Sequence, residues 1–385
     1  MPALLPQPDP DGLLEYSVVY TDRSLNHMSA RFCGVMTDIS RVIKSVYQAQ
    51  SAVIVPGSGT FGMEAVARQF ATDQKCLILR NGWFSYRWSQ ILEMGRITAD
   101  IGVLKARRTA TGAQASAAQA PFSPAPLAEV LQAIRTQRPA LVFAPHVETS
   151  SGILLPDDYL QAVGTAVREV GGLFVLDCIA SGTVWVDMQA RQVDILVSAP
   201  QKGWSGSPCC GLVALGPRAR ERIDQTRSTS FACDLLKWLQ IMESYEKGGF
   251  AYHATLPTDA LAVLRDVMLE TERLGFATVS ERAQRLGTDV RALLARAGFA
   301  SVAAEGYGAP GVVVSYTTNP DVQSGKAFRQ AGLQIAAGVP LQCDEGDDFR
   351  SFRIGLFGLD KLAYPARTVR SLEEAVRGLG PAIPP

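Results

Sequence analysis

The chain has 385 residues, 47% of them hydrophobic, with 37 basic and 37 acidic side chains. That length supports a large core with a second, smaller domain, and a net charge of zero gives no electrostatic case for nucleic acid or an anionic membrane surface. No apolar run is long enough to span a bilayer, the opening MPALLPQPDPDGLLEY lacks the basic and apolar regions of a signal peptide, and seven cysteines without metal-type spacing suggest a reduced, cytoplasmic setting.

Along the chain, short β-branched or apolar runs alternate with amphipathic helical patterns. The strand candidates are SAVIVP from Ser51, KCLILR from Lys75, ALVFAPH from Ala140, GLFVLD from Gly172, VDILVSAP from Val193 and GLVALG from Gly211. FGMEAVARQFA, WSQILEMG, LAEVLQAIRTQ and DDYLQAVGTAVREVG read as helices between them. This alternation predicts an α/β fold, a mostly parallel sheet with helices on both faces. The Ala/Ser/Gln/Pro-rich stretch Arg107 to Pro126 reads as a surface loop. After Pro257 two long helical patterns lead to GVVVSYT and RSFRIGLFG, which suggest a small α+β domain. The expected division is an N-terminal segment over 1–30, a large domain over 31–260 and a small domain over 261–385.

Val53 to Val66, VIVPGSGTFGMEAV, is an apolar run, a GxGxxG turn and a helix. A dinucleotide fold would place a carboxylate about 20 positions on to hold a ribose. The chain reads ILRNGWFSYRW there and offers Arg80 and Asn81 instead, so only an NADP variant would survive. What the turn does supply is backbone N–H groups at a helix N-terminus, where an anion is favoured. Two further sites narrow the choice. Asp177 ends the apolar strand GLFVLD, at the edge where open α/β sheets bind ligands, and Lys202 follows another strand in SAPQKGWSGSP. A buried Asp needs a cationic partner, and a Lys at a strand mouth needs a reason to be there. Pyridoxal phosphate satisfies both. Its aldehyde forms a Schiff base with a lysine, its ring nitrogen pairs with a carboxylate, and its phosphate suits a helix N-terminus.

The ordered set GSGTFGMEA, NGWFSYRW, HVETSSGILLP, VLDCIAS, SAPQKGW, YHATLP and FRIGLFG, from about Ser51 to Gly358, resembles the class V aminotransferases. These are fold-type I pyridoxal-phosphate enzymes, and the likeness is to the alanine–glyoxylate and serine–pyruvate branch. The resemblance implies that Lys202 is the Schiff-base lysine and proton carrier, and that Asp177 keeps the pyridine nitrogen protonated. Ser58, Gly59, Thr60 and Gln201 match phosphate contacts. Phe84 matches the aromatic that stacks on the ring, with Trp83 as the alternative if the register slips by one. Thr149 matches the partner of the ring hydroxyl, and Ile179 the contact on the opposite ring face; His146, Glu148 and Ser181 lie nearby. Tyr252 and Thr255 match residues that reach the phosphate of a neighbouring subunit, which implies a homodimer with shared sites. Arg353 matches the arginine that pairs with the substrate α-carboxylate.

The N-terminal EYSVVYTDRSLNHMSARF departs from the family's Gly-Pro-rich loop, and only His27-Met28-Ser29 is similar to the motif that follows it. Tyr20, Thr21, Arg23 and Asn26 are candidates to take the loop's place, and Arg23 would read a distal anion on the substrate. The expected function is amino-group transfer from an amino acid to a small 2-oxo acid, pyruvate or glyoxylate, in a ping-pong cycle. The alternative is a lyase or cysteine desulfurase of the same fold. A desulfurase would need a mobile, activated cysteine, and Cys209, Cys210 and Cys343 lack a basic neighbour. The adjacent Cys209 and Cys210 read as a packed loop, not as a bridged pair.

Overall fold

The structure, a computed structural model, describes residues 13–109, 119–377 and 379. The start of the N-terminal segment, the middle of the Ala/Ser/Gln/Pro-rich stretch and the last residues of the expected small domain lie outside the described residues.

The first helix, α1 (Ala30–Tyr47), opens where Ser29 accepts a hydrogen bond from Phe32 N and closes at Gln48, which takes the left-handed conformation (φ 52°). Its buried residues Phe32, Val35, Met36, Ile39, Val42 and Ile43 recur every three or four positions, which lays one stripe against the core. Seven strands form the main sheet: β1 (Ser51–Pro56), β2 (Cys76–Arg80), β3 (Ile101–Lys105), β4 (Leu141–Pro145), β5 (Leu173–Asp177), β6 (Ile195–Ser198) and β7 (Cys210–Leu215). Their spatial order is β1-β7-β6-β5-β4-β2-β3. The pairs from β6 through β5, β4 and β2 to β3 are parallel, whereas β7 runs antiparallel to both β1 and β6. Every residue of β2, β4, β5, β6 and β7 is buried, as expected of strands covered on both faces.

Helices α2 (Gly59–Phe70), α3 (Trp83–Met94), α4 (Leu127–Gln137) and α5 (Asp157–Glu169) connect the parallel strands. Later come α6 (Pro217–Ile223), α7 (Leu235–Glu246), α8 (Thr258–Leu274) and α9 (Phe276–Arg296). A second, antiparallel sheet follows, ordered β8-β10-β9, from β8 (Val312–Tyr316), β9 (Ala336–Ala337) and β10 (Ser351–Gly355).

Buried apolar side chains gather into one core running from Leu25 to Met268 and another running from Val279 to Val376. The change of core therefore falls between α8 and α9, and residue 261 lies within α8. A third cluster joins Ala106, Phe122 and Val147 to Val302, Val312 and Tyr316 and so bridges the two sheets. Phe122 comes from the stretch expected to be surface loop. As an aromatic in a polar run it is buried (1% exposed), and Phe122-Ser123 pairs with Arg107-Arg108.

The segment before α1 is tied down by side chains. Glu15 accepts from Ser17 N (2.7 Å) and Asn26 Nδ2 (2.8 Å), Leu25 N donates to Asp259 Oδ1 (3.0 Å), and the Tyr20 hydroxyl donates to Leu256 O (3.4 Å). All the cysteines are free thiols, and all but the half-buried Cys33 are buried. None of the described helices is long and apolar enough to cross a membrane.

Candidate active site

The Gly-rich turn leaves β1 and enters α2 with three special positions. Gly57 has φ +122°, a conformation that disfavours a side chain, and its N–H donates to Cys209 O (2.9 Å). Ser58 is the extended N-cap of α2, yet its side chain makes no capping bond, so the first N–H groups of that helix remain available to an anion. Gly59 allows close approach, because a Cβ there would lie 2.6 Å from Ile179 Cδ1.

Asp177 ends β5 directly beside Val197 of β6, and Lys202 stands four residues beyond the end of β6, at the same edge of the sheet. A Cβ on Gly203 would collide with the Gly182 carbonyl, so the glycine after Lys202 lets that turn pack backbone to backbone. Asp177 is 7% exposed; Ile179 N donates to its Oδ1 (2.9 Å), but no cationic side chain pairs with it among the described residues. Burial pushes the Asp177 carboxyl up to about 7, Glu148 adds to the rise and Arg87 opposes it. Burial, and then the charges of Arg353 and Arg87, lower the pKa of Lys202, so more of its amine is free to act as a base.

A cavity of about 240 Å³ opens between these elements. Its lining includes Ser58, Gly59, Thr60, Phe84, Thr149, Asp177, Ile179, Gln201 and Lys202. Nine residues read from widely separated motifs therefore share one space. Phe84, and not Trp83, reaches the lining; Trp83 packs against Tyr86 with ring centres 5.9 Å apart. His146 is not among the lining residues and is hydrogen-bonded through Nδ1 to Ser181 Oγ (2.8 Å). Burial lowers its pKa to about 4, so it remains neutral near pH 7.

Two residues were not legible as site residues. Arg87 lines the cavity, donates from Nη1 to Thr60 Oγ1 (3.2 Å) and lies 4.7 Å from the centre of the Phe84 ring. A charged residue one turn into a helix looks like surface in a sequence; only its position after the aromatic hinted otherwise. Glu148, read only as a flanking residue, is fully buried. Its carboxylate accepts from Phe84 N (3.2 Å), Ser85 N (2.9 Å), Ser85 Oγ (2.7 Å), Ser150 N (3.0 Å) and Ser150 Oγ (2.7 Å).

Other expected residues stand outside the lining. Arg353, on β10, donates from Nε to Ala337 O (2.8 Å) and holds its guanidinium 5.5 Å from the centre of the Phe84 ring. Burial lowers its pKa, partly offset by Glu148. Tyr252 is 53% exposed and shares a hydrogen bond with Thr255 (3.1 Å), on the surface of this chain. Arg23 occupies an exposed turn before α1. Cys209, Cys210 and Cys343 are buried and are not among the cavity's lining residues; burial pushes the Cys343 thiol up to about 12, which makes it a poor nucleophile.

A mostly parallel sheet covered by helices, with a second, antiparallel sheet, is the fold of the fold-type I pyridoxal-phosphate enzymes. The chain belongs to the class-V aminotransferase family, whose model matches residues 11–338. A 2-aminoethylphosphonate–pyruvate transaminase of Burkholderia ambifaria is 27% identical over 373 residues, covering 94% of this chain and 90% of its own length. A protein of Anabaena cylindrica named as the 42 kDa subunit of a soluble hydrogenase is 24% identical over 387 residues, covering 97% and 92% respectively. The crystal structure of an alanine–glyoxylate aminotransferase from Nostoc sp. matches with a TM-score of 0.73 and 24% identity, over 91% of this chain and 89% of that one.

The family's cofactor is pyridoxal phosphate, and the cavity fits it. Asp177 is a buried carboxylate without a cation, and Gln201 Oε1 is a buried acceptor without a donor. A protonated ring nitrogen would complete Asp177, and the uncapped N–H groups that open α2 are donors that a phosphate would accept from.

Proposed function

We propose that this aminotransferase moves an amino group from an amino acid to a small 2-oxo acid, pyruvate or glyoxylate. The observation that carries the reading is the meeting of Lys202, Asp177 and the uncapped N-terminus of α2 in one cavity. The acceptor comes from the relatives: the Burkholderia enzyme is named for pyruvate and the Nostoc enzyme for glyoxylate. An amine, a carboxylate, hydroxyls and guanidiniums are groups suited to amino-group chemistry, and they do not favour the activity in the Anabaena relative's name.

In this reading Ser58, Gly59, Thr60 and Gln201 hold the phosphate, Thr149 meets the ring hydroxyl, and Phe84 and Ile179 bracket the ring. Pyridoxal phosphate supplies an aldehyde carbon on which the amino group is exchanged and a ring that withdraws electrons from the substrate Cα. Asp177 holds the proton on the ring nitrogen. Lys202 would anchor the cofactor through Nζ and, once released, would serve as the base that holds the substrate Cα proton; its lowered pKa suits a base working near neutral pH. Arg353 takes the substrate α-carboxylate. Tyr252 and Thr255, exposed on this chain, reach the phosphate of a second copy in a cytoplasmic homodimer.

The test is a half-reaction. Purified protein mixed with single amino acids should convert its cofactor band to the pyridoxamine form, and pyruvate or glyoxylate should restore it. Borohydride should fix the cofactor to Lys202, located by peptide mapping. A label on any other lysine, or a band that no amino acid changes, would remove the assignment.

A further inference from the structure

The mechanism just described gives Arg87 nothing to bind. It is half-buried, its Nη1 donates to Thr60 Oγ1 (3.2 Å), and no carboxylate stands within ion-pair distance of it among the described residues. A guanidinium withdrawn from water without a counter-ion is unfavourable unless an anion arrives. Two of the residues lining the cavity are cations, Arg87 and Lys202, set against one carboxylate, Asp177. Lys202 is committed to anchoring the cofactor and to the Cα proton. Arg353, on another sheet, holds its guanidinium 5.5 Å from the Phe84 ring centre and is assigned to the substrate carboxylate.

We propose that Arg87 is the cation that neutralises the cofactor phosphate. A phosphate monoester carries close to two negative charges near neutral pH. The α2 N-terminus offers only about half an elementary charge against it. Thr60 is the second residue of that helix, so its hydrogen bond places the Arg87 fork at the phosphate end of the cavity. The same side chain lies over the Phe84 ring (4.7 Å), so one cation couples the phosphate turn to the stacking aromatic. An anion on the donor's side chain is the competing occupant; the Thr60 contact favours the phosphate.

The inference rests on the cavity being a pyridoxal-phosphate site, and the experiment separates the two. Apo protein is titrated with pyridoxal phosphate and with pyridoxal, which lacks the phosphate, and binding is followed by tryptophan fluorescence. Wild type should prefer the phosphorylated form. Arg87→Gln should weaken pyridoxal phosphate by about 10- to 100-fold and pyridoxal by much less, while Arg87→Lys should fall between. If the Gln variant does not fold, the Lys variant decides, because it keeps the charge but loses the fork. Equal weakening for both ligands, or an unchanged preference, would overturn the role of Arg87 alone. So would a variant that binds both ligands normally but loses only donors with a distal anion. A wild type without any preference would overturn the phosphate reading of the turn together with it.

Discussion

The backbone N–H and the hydroxyl of Ser85 both donate to Glu148 Oε2, at 2.9 and 2.7 Å, across 63 positions of the chain. With Phe84 N and Ser150 on the other oxygen, a buried carboxylate closes the N-terminus of α3, the end of a helix that favours negative charge. Gly82 makes the approach possible, since a Cβ there would lie 2.7 Å from Glu148 Cγ. The grip fixes Phe84, and one turn later Arg87. Glu148→Gln would set an amide nitrogen against N–H donors, and we expect a loss of about 3 kcal/mol in urea unfolding of the apo protein. The visible circular dichroism of the bound cofactor should change as well. A variant as stable as wild type would mean that α3 is held by other contacts.

The apo protein should be less stable at higher pH through Asp177. Its folded pKa, near 7, lies above the reference value of 3.8 because of burial. The contribution is therefore fully present below pH 3.8 and is lost as pH rises through about 7, with a total of about 4 kcal/mol. His146 acts in the opposite direction: its folded pKa of about 4 lies below the reference 6.5, so stability falls as pH drops through that window. Comparing Asp177→Asn with wild type across pH isolates the first effect. Parallel curves for the two apo proteins would show that Asp177 is not the source.

Arg353→Ala should raise KM for every amino-acid donor. All of them share the α-carboxylate, and the loss should be roughly 2–5 kcal/mol in kcat/KM. Arg23→Ala should leave donors with neutral side chains untouched and affect only those with a distal anion, if its exposed turn meets a partner's site. A uniform loss at Arg23 with none at Arg353 would exchange their roles.

Mixed dimers test the shared site. Lys202→Ala chains refolded with Tyr252→Phe, Thr255→Val chains would form one site with both lesions and one with neither, and so recover part of the activity. A mixture no more active than its parents would place these hydroxyls within their own chain.

Six strands of the main sheet were legible because strands buried on both faces read as continuous apolar runs. Strand β3 was not: it contains Gly102, and every residue is only half-buried, as befits an edge. The reversed direction of β7 leaves no trace in GLVALG, since a fully covered strand looks alike in either direction. The helical spacing of Phe32, Val35 and Ile39 is present in the sequence, although α1 is not among the elements read from it. Motifs announce the residues that touch a ligand; the packing that orients those residues, as Glu148 orients Phe84, is written in tertiary contacts between segments far apart in sequence.

The distribution of thiols turns the chain into its own recorder. Six of its seven cysteines are buried, so an alkylating reagent meets Cys33 in the native state and the others only when a region opens. Cys178 follows Asp177, and Cys209 holds Gly57 through its carbonyl (2.9 Å). The labelling rates of these two sulfurs would time the opening of the cavity floor, with no foreign probe introduced.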